Sequence, residues 1–167
     1  FEEAGFINAV VAKIQPDDAE WDAADYDYNV VRWSSEPDGN LLGIGPSVSN
    51  PLTGEIISAD VVNKLLAIKL GYNYRKLYGY TEDNDPLMQY ITNLTLHEVG
   101  HVLGLRHNFR GSYLYSPDEI HDKNITGNVL MSSVMDYDPI NIAPEGVEQG
   151  IYFSTEPGVY YKWAVKF

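Results

Sequence analysis

From position 97 the chain reads His97-Glu98-Val99-Gly100-His101-Val102-Leu103-Gly104-Leu105-Arg106-His107. This run sets three metal-ligand side chains and one carboxylate at the spacing that metal-assisted hydrolysis needs. Residues four apart on a helix share a face one turn apart, so the imidazoles of His97 and His101 can reach one ion. Glu98 stands beside the first ligand, where its carboxylate can take a proton from a water that zinc has made acidic. Gly104 lacks a Cβ and can adopt the left-handed conformation that turns the chain, so that His107 comes back as the third ligand. A bare His-Glu-x-x-His arises by chance in unrelated helices, whereas the added Gly104 and His107 make the full pattern rare. The competing reading is an amphipathic helix whose histidines are solvated or satisfied in a core. Only four histidines are present, and the fourth, His121, lies in the polar stretch 116–123 and reads as a surface-loop residue.

The chain has no cysteine, which excludes disulfides and leaves histidine and carboxylate as metal ligands. Structural zinc sites usually have four protein ligands. Three histidines with no fourth partner therefore point to one zinc ion with an open, catalytic position.

Downstream, Ser132-Ser133-Val134-Met135-Asp136-Tyr137 combines small residues with a methionine and a tyrosine two positions later. With the long histidine motif, this segment resembles the metzincins, whose zinc motif is followed by a Met-turn beneath the metal. The resemblance implies that His97, His101 and His107 bind zinc, that Glu98 is the general base, and that Met135 is the apolar residue of the turn. It also places Tyr137 where the astacin and serralysin branches carry a tyrosine near the metal. A tyrosine packed in the cleft wall with its hydroxyl bonded elsewhere is the alternative. Residues 45–47, 53–56 and 105–109 are similar to a large group of bacterial zinc-dependent metalloproteases, often exported and lipid-anchored. That likeness implies an extracellular, periplasmic or cell-surface location. It departs at Tyr160-Tyr161, where the group commonly has Tyr-Asp, so no carboxylate stands in the last helix to support the Met-turn.

The elements that must position these residues follow from pattern. Residues 1–5 read as the last turn of a helix already under way, which suggests a piece of a larger protein. Residues 9–14 are short and apolar, as in a buried strand, and residues 16–28 are loop-like. Residues 29–34 alternate and are β-branched, so they read as a strand closed by a turn at residues 36–39. Residues 41–48 and 55–62 form a hairpin around residues 50–54, and Pro46 puts its first arm on a sheet edge. By resemblance Leu42, Gly43, Ile44 and Gly45 would face a substrate backbone that pairs with this edge; a Gly-rich strand-loop without a ligand role is the alternative. Residues 63–80 suggest a helix followed by an irregular segment. Asp85-Pro86 caps a helix running to Leu103, with Leu87, Ile91, Leu94 and Val102 at a helical period. Beyond His107 regular structure should be scarce until Ser154 or Thr155 caps a final helix with Tyr160, Trp163, Ala164 and Phe167 on its apolar side. The segment 138–141 would wall the pocket beside the cleaved bond. Asn93-Leu94-Thr95 and Asn124-Ile125-Thr126 match a weak glycosylation pattern.

The expected architecture is α/β and metzincin-like: a twisted mixed sheet with backing helices and the zinc helix in an upper part, residues 1–104. An irregular lower part with a C-terminal helix follows, residues 105–167. At 167 residues and 44% hydrophobic content, one domain is expected. The net charge of −13 opposes nucleic acid and anionic membrane surfaces as partners. The expected partner is a peptide or protein substrate of a zinc endopeptidase. The rival reading is a catalytically silent, zinc-stabilised binding module of a larger exported protein.

Overall fold

A computed structural model describes residues 1–36 and 40–166. The rest of the turn expected at residues 36–39, namely Pro37, Asp38 and Gly39, and the apolar position Phe167 lie outside the described residues. The fold is mixed α/β. Strands β1 (Val31–Ser34), β2 (Gly43–Ile44), β3 (Ser47–Ser49), β4 (Ile56–Ala59) and β5 (Val61–Lys64) precede helices α1 (Leu65–Tyr78) and α2 (Pro86–Val102). Two short helices, α3 (Lys123–Thr126) and α4 (Tyr160–Ala164), lie in the lower part.

The expected hairpin is divided between two sheets. β3 and β4 pair antiparallel, but β5 leaves β4 to form the centre of a three-stranded sheet, parallel to β1 and antiparallel to β2. The break has a local cause at each arm. Pro46 has no N–H to give to a ladder, and its carbonyl takes the Asp60 N–H instead (3.1 Å). The Asp60 carboxylate accepts the Val30 N–H (3.0 Å), and the Asn29 side chain accepts the Ala59 N–H (2.9 Å), so two polar side chains dock β1 onto the bend. Pro46 therefore leaves β2 on an edge, as expected.

Residues 9–14 are not a strand. They are irregular and open to solvent, with Ile14 95% exposed. An apolar run specifies burial but not a partner, and among the described residues no strand pairs with the outer edge of β1. The opening residues do form a single 3-10 turn that Gly5 ends, and residues 16–28 are loop, with Trp21 stacked on Tyr28 at 3.8 Å.

α2 begins as its cap residues dictate. The Asp85 carboxylate accepts the Leu87 N–H (3.0 Å), Pro86 occupies the first turn, and Arg75 of α1 pairs with Asp85, holding that carboxyl below its usual range. One side of α2 packs on α1 and a cluster of Ala67, Tyr90, Tyr152 and Phe153. Its buried polar residues grip the lower part: Gln89 accepts the N–H groups of Tyr152 (2.7 Å) and Phe153 (3.2 Å), and Asn93 donates to the Ser154 carbonyl (3.1 Å). Burial of Asn93 removes the first glycosylation pattern from reach, while Asn124 is exposed.

The final helix starts at Tyr160, four or five residues later than expected. Neither Ser154 nor Thr155 caps it: the Ser154 hydroxyl is engaged across the lower part, and Gly158, at φ +93°, interrupts a helix begun there. The Ser154 hydroxyl accepts the Leu130 N–H (2.9 Å), and Thr155 N–H donates to Asn128 (3.0 Å). Residues 154–158 are thus a strap laid along residues 128–134, and the Pro157 carbonyl accepts the Val134 N–H at 3.0 Å. Among the described residues no helix is long and apolar enough to cross a membrane.

Candidate metal centre

α2 projects His97 and His101 from one face. His97 is buried, and its Nδ1–H donates to the Val134 carbonyl at 2.8 Å; His101 Nδ1–H donates to the Leu105 carbonyl at 3.1 Å. Each Nδ1 proton is thereby committed to backbone, which leaves Nε2 as a lone pair. Gly104, at φ +84°, then reverses the chain. The Nε2 of His107 comes to 3.2 Å from that of His97 and 3.1 Å from that of His101. Burial holds His97 and His107 below the usual imidazole value, favouring the neutral ligand form.

Three imidazole nitrogens drawn this close together form a donor set that could hold a metal ion. Zinc–nitrogen bonds of roughly 2.0–2.1 Å put tetrahedral donors roughly 3.3 Å apart, close to the separations seen here. Among the described residues this is the one group of three or more His, Asp and Glu whose donor atoms all lie within 4.8 Å. The residues present fit zinc, with no fourth protein ligand in the group.

Glu98 lies buried on the upper side of α2, where burial raises its carboxyl above the usual value and the Gly45 N–H hydrogen-bonds to it. β2 crosses the helix here with almost no clearance. A Cβ on Gly45 would stand 2.4 Å from the Glu98 carbonyl oxygen, and one on Gly43 would stand 3.1 Å from its carboxylate. Close backbone approach requires Gly45, whereas at Gly43 the tight neighbour is the Glu98 side chain. Leu42 packs on the cluster around Tyr90, and its carbonyl accepts the Lys64 N–H (2.9 Å), so its backbone faces inward to β5. Antiparallel alternation then turns the backbone groups of Gly43 toward the free edge and those of Ile44 toward β5, while the Gly45 N–H is taken by Glu98.

Beneath α2 lies the Met-turn. Met135 is fully buried, and a Cβ on Gly100 would fall 2.2 Å from its sulfur, so Gly100 is the indentation that receives it. Asp136 accepts the N–H groups of Tyr137 (2.8 Å) and Ser112 (3.0 Å). The Tyr137 ring is 65% exposed, stacks on His97 at 5.2 Å and lies 4.5 Å from His107. Phe109, exposed and unremarked in the sequence pattern, extends this aromatic rim at 5.6 Å from His107.

In the segment expected to wall the pocket, Asp138 meets Asn93, one turn before His97 on α2, at 3.3 Å, and burial pushes its carboxyl up to about 6. Asn141 instead donates to the carbonyls of Ile120 and Ile151, which makes it part of the lower part's own framework. His121 is half-buried rather than a free surface residue, its Nδ1 enclosed without a hydrogen-bond partner. Tyr161 of α4, noted in the sequence only as a departure from Tyr-Asp, sets its hydroxyl 2.5 Å from Ser133 Oγ and accepts the Met135 N–H at 3.2 Å.

A family profile described as Met-zincin matches residues 80–167. The chain belongs to the Met-zincin family. The matched stretch holds α2 with all three histidines and Glu98, the Met-turn and α4. A Met-zincin with this triad is a metallopeptidase-like domain, and the triad is its candidate zinc site. No curated protein and no solved structure matched the chain.

Proposed function

We propose that this Met-zincin is a zinc-dependent endopeptidase. The observation that carries the reading is the convergence of three Nε2 atoms beside a buried carboxylate on the same helix. His97, His101 and His107 would hold the ion. Zinc at that place supplies Lewis acidity, which makes water a nucleophile near neutral pH and polarises the scissile carbonyl. Glu98, whose burial favours taking up a proton, accepts it from the attacking water and passes it to the leaving amine. The Tyr137 hydroxyl donates to the oxyanion as charge develops, a role supported by the ring's place against His97 and His107. An extended peptide pairs with the free edge of β2 at Gly43, beside an exposed aromatic rim of Tyr137 and Phe109.

The expected partner is therefore a peptide or protein, with nucleic acid disfavoured by the −13 charge. The likeness noted in the sequence supports an extracellular, periplasmic or cell-surface setting. The zinc-loaded protein should be incubated with a peptide library and its products sequenced, with Glu98→Gln as the control. Internal cleavage by the wild type alone is the expected result. Zinc binding with no cleavage by either protein would replace the endopeptidase with a zinc-stabilised binding module.

A further inference from the structure

The Val134 carbonyl that orients His97 and the Met135 N–H belong to one peptide unit, planar and rigid, with its two polar groups on opposite sides. On one side the carbonyl accepts from His97 Nδ1 at 2.8 Å. On the other the N–H donates to Tyr161 Oη and to Ser133 Oγ, each at 3.2 Å. These two oxygens are themselves 2.5 Å apart, and both residues are buried. A continuous hydrogen-bonded line therefore runs from a phenol on α4, through one peptide, to a candidate metal ligand.

We infer that Tyr161 is a positioning residue for the first metal ligand, its hydroxyl holding the 134–135 peptide at the angle that aims His97 Nε2 into the triad. The inference rests on the metal-site reading above. Bonds in such a line polarise one another, so an acceptor on the N–H also strengthens the carbonyl toward His97 and makes its Nε2 a better donor. The neighbouring contacts fix where the phenol sits. Tyr160 N–H donates to the Ser132 carbonyl (3.0 Å) and Pro157 receives Val134 N–H (3.0 Å), so α4 and the Met-turn move as one piece. The pattern also explains how the turn is supported with tyrosine where a carboxylate would otherwise stand in the last helix: a phenol oxygen can accept the same N–H without bringing a charge into the core.

Zinc affinity, measured by competition with a chromogenic chelator, tests this on wild type, Tyr161→Phe, Ser133→Ala and Tyr160→Phe. Tyr161→Phe keeps the ring and should weaken zinc by about tenfold, the scale on which partners of metal ligands act. Ser133→Ala should have a smaller effect, because Tyr161 still accepts from Met135. Tyr160→Phe should have none. Nuclear magnetic resonance of the metal-free protein gives a second readout. The His97 Nδ1 proton should shift upfield and exchange faster in Tyr161→Phe.

A Tyr161→Phe protein that loses only thermal stability, with zinc affinity within about twofold of wild type and an unmoved Nδ1 proton, overturns the inference. Should that variant fail to fold, Ser133→Ala decides by the same two readouts: zinc affinity and an Nδ1 proton close to wild type show the phenol holding the peptide by itself, and a loss of about tenfold with a moved proton gives the role to Ser133 and overturns the inference. A wild type that binds no zinc, or binds it equally well after His97→Ala, sinks the metal reading instead. The metal-free Nδ1 proton then still decides whether Tyr161 sets the 134–135 peptide.

Discussion

The zinc helix is pressed from two sides, and the two contacts are built in opposite ways. Above, the glycines are on the strand side: Gly45 meets the Glu98 backbone and donates its N–H to the carboxylate, and Gly43 meets the Glu98 side chain. Below, the glycine is on the helix: Gly100 admits the sulfur of Met135, and the turn sends the Val134 carbonyl up to His97. The ceiling thus contacts the proposed base, and the floor contacts a candidate metal ligand. The difference teaches that one helix can carry two functions because each face is tuned by a different neighbour, so faults in the two walls should have different signatures.

The largest effects should separate the two functions outright. His97→Ala, His101→Ala or His107→Ala should strip zinc, read by metal analysis. Glu98→Gln should keep zinc and lose about 10³-fold in turnover, because an amide cannot accept the proton. An active Glu98→Gln enzyme would break the assignment of the ceiling to catalysis.

Next in size is Tyr137, which stands at the mouth between the walls. Tyr137→Phe should retain zinc, leave KM nearly unchanged and lower turnover by about 10²-fold, the scale of one lost oxyanion donor. Turnover near the wild-type rate would return Tyr137 to a packing role.

The comparison itself is tested by Gly45→Ala against Gly100→Ala. At Gly45 the new methyl meets backbone, so it should cost about 1–3 kcal/mol in chemical denaturation and depress turnover while zinc affinity holds. At Gly100 it meets a methionine with rotatable bonds, so the stability cost should be lower and zinc affinity should be the quantity that falls. The opposite pattern would mean the walls do not divide the work.

Asp138 allows a smaller, pH-dependent test of the floor's margin. Its folded carboxyl, raised by burial to about 6 from 3.8, binds its proton more tightly than in the unfolded chain. Its stabilising contribution is therefore complete below pH 4 and is lost as pH rises through 6. Asp138→Asn should match the wild type in thermal unfolding at pH 4 and exceed it by about 2 kcal/mol at pH 7.5. Equal stability at both values would show that the carboxyl is not strained. Smallest of all, Met135→Leu should cost about 1 kcal/mol or less and leave most activity, since volume is conserved in the pocket at Gly100.

Sequence alone determined what depends on short spacing. The four-residue step from His97 to His101, the carboxylate beside it, the cap at Asp85-Pro86 and the reversal at Gly104 are all local. Each follows from helix geometry or from a backbone that one residue type tolerates, and the structure places each where that logic requires. What the tertiary structure decided is partnership between distant segments. An apolar run at residues 9–14 held no information about a strand to pair with, and it found none among the described residues. Ser154 has the chemistry of a helix cap, but the N–H of Leu130 claimed its hydroxyl, and the Thr155 backbone is tied to Asn128 in the strap. The hairpin pattern could not reveal that Asn29 and Asp60 would divide it between two sheets. Tyr161 showed in the sequence only as a missing carboxylate, because a tyrosine in an apolar helix stripe is ordinary packing until a buried N–H 26 residues away is aimed at its hydroxyl. Periodicity reports which side of an element is buried, and only the folded chain settles which polar group meets which.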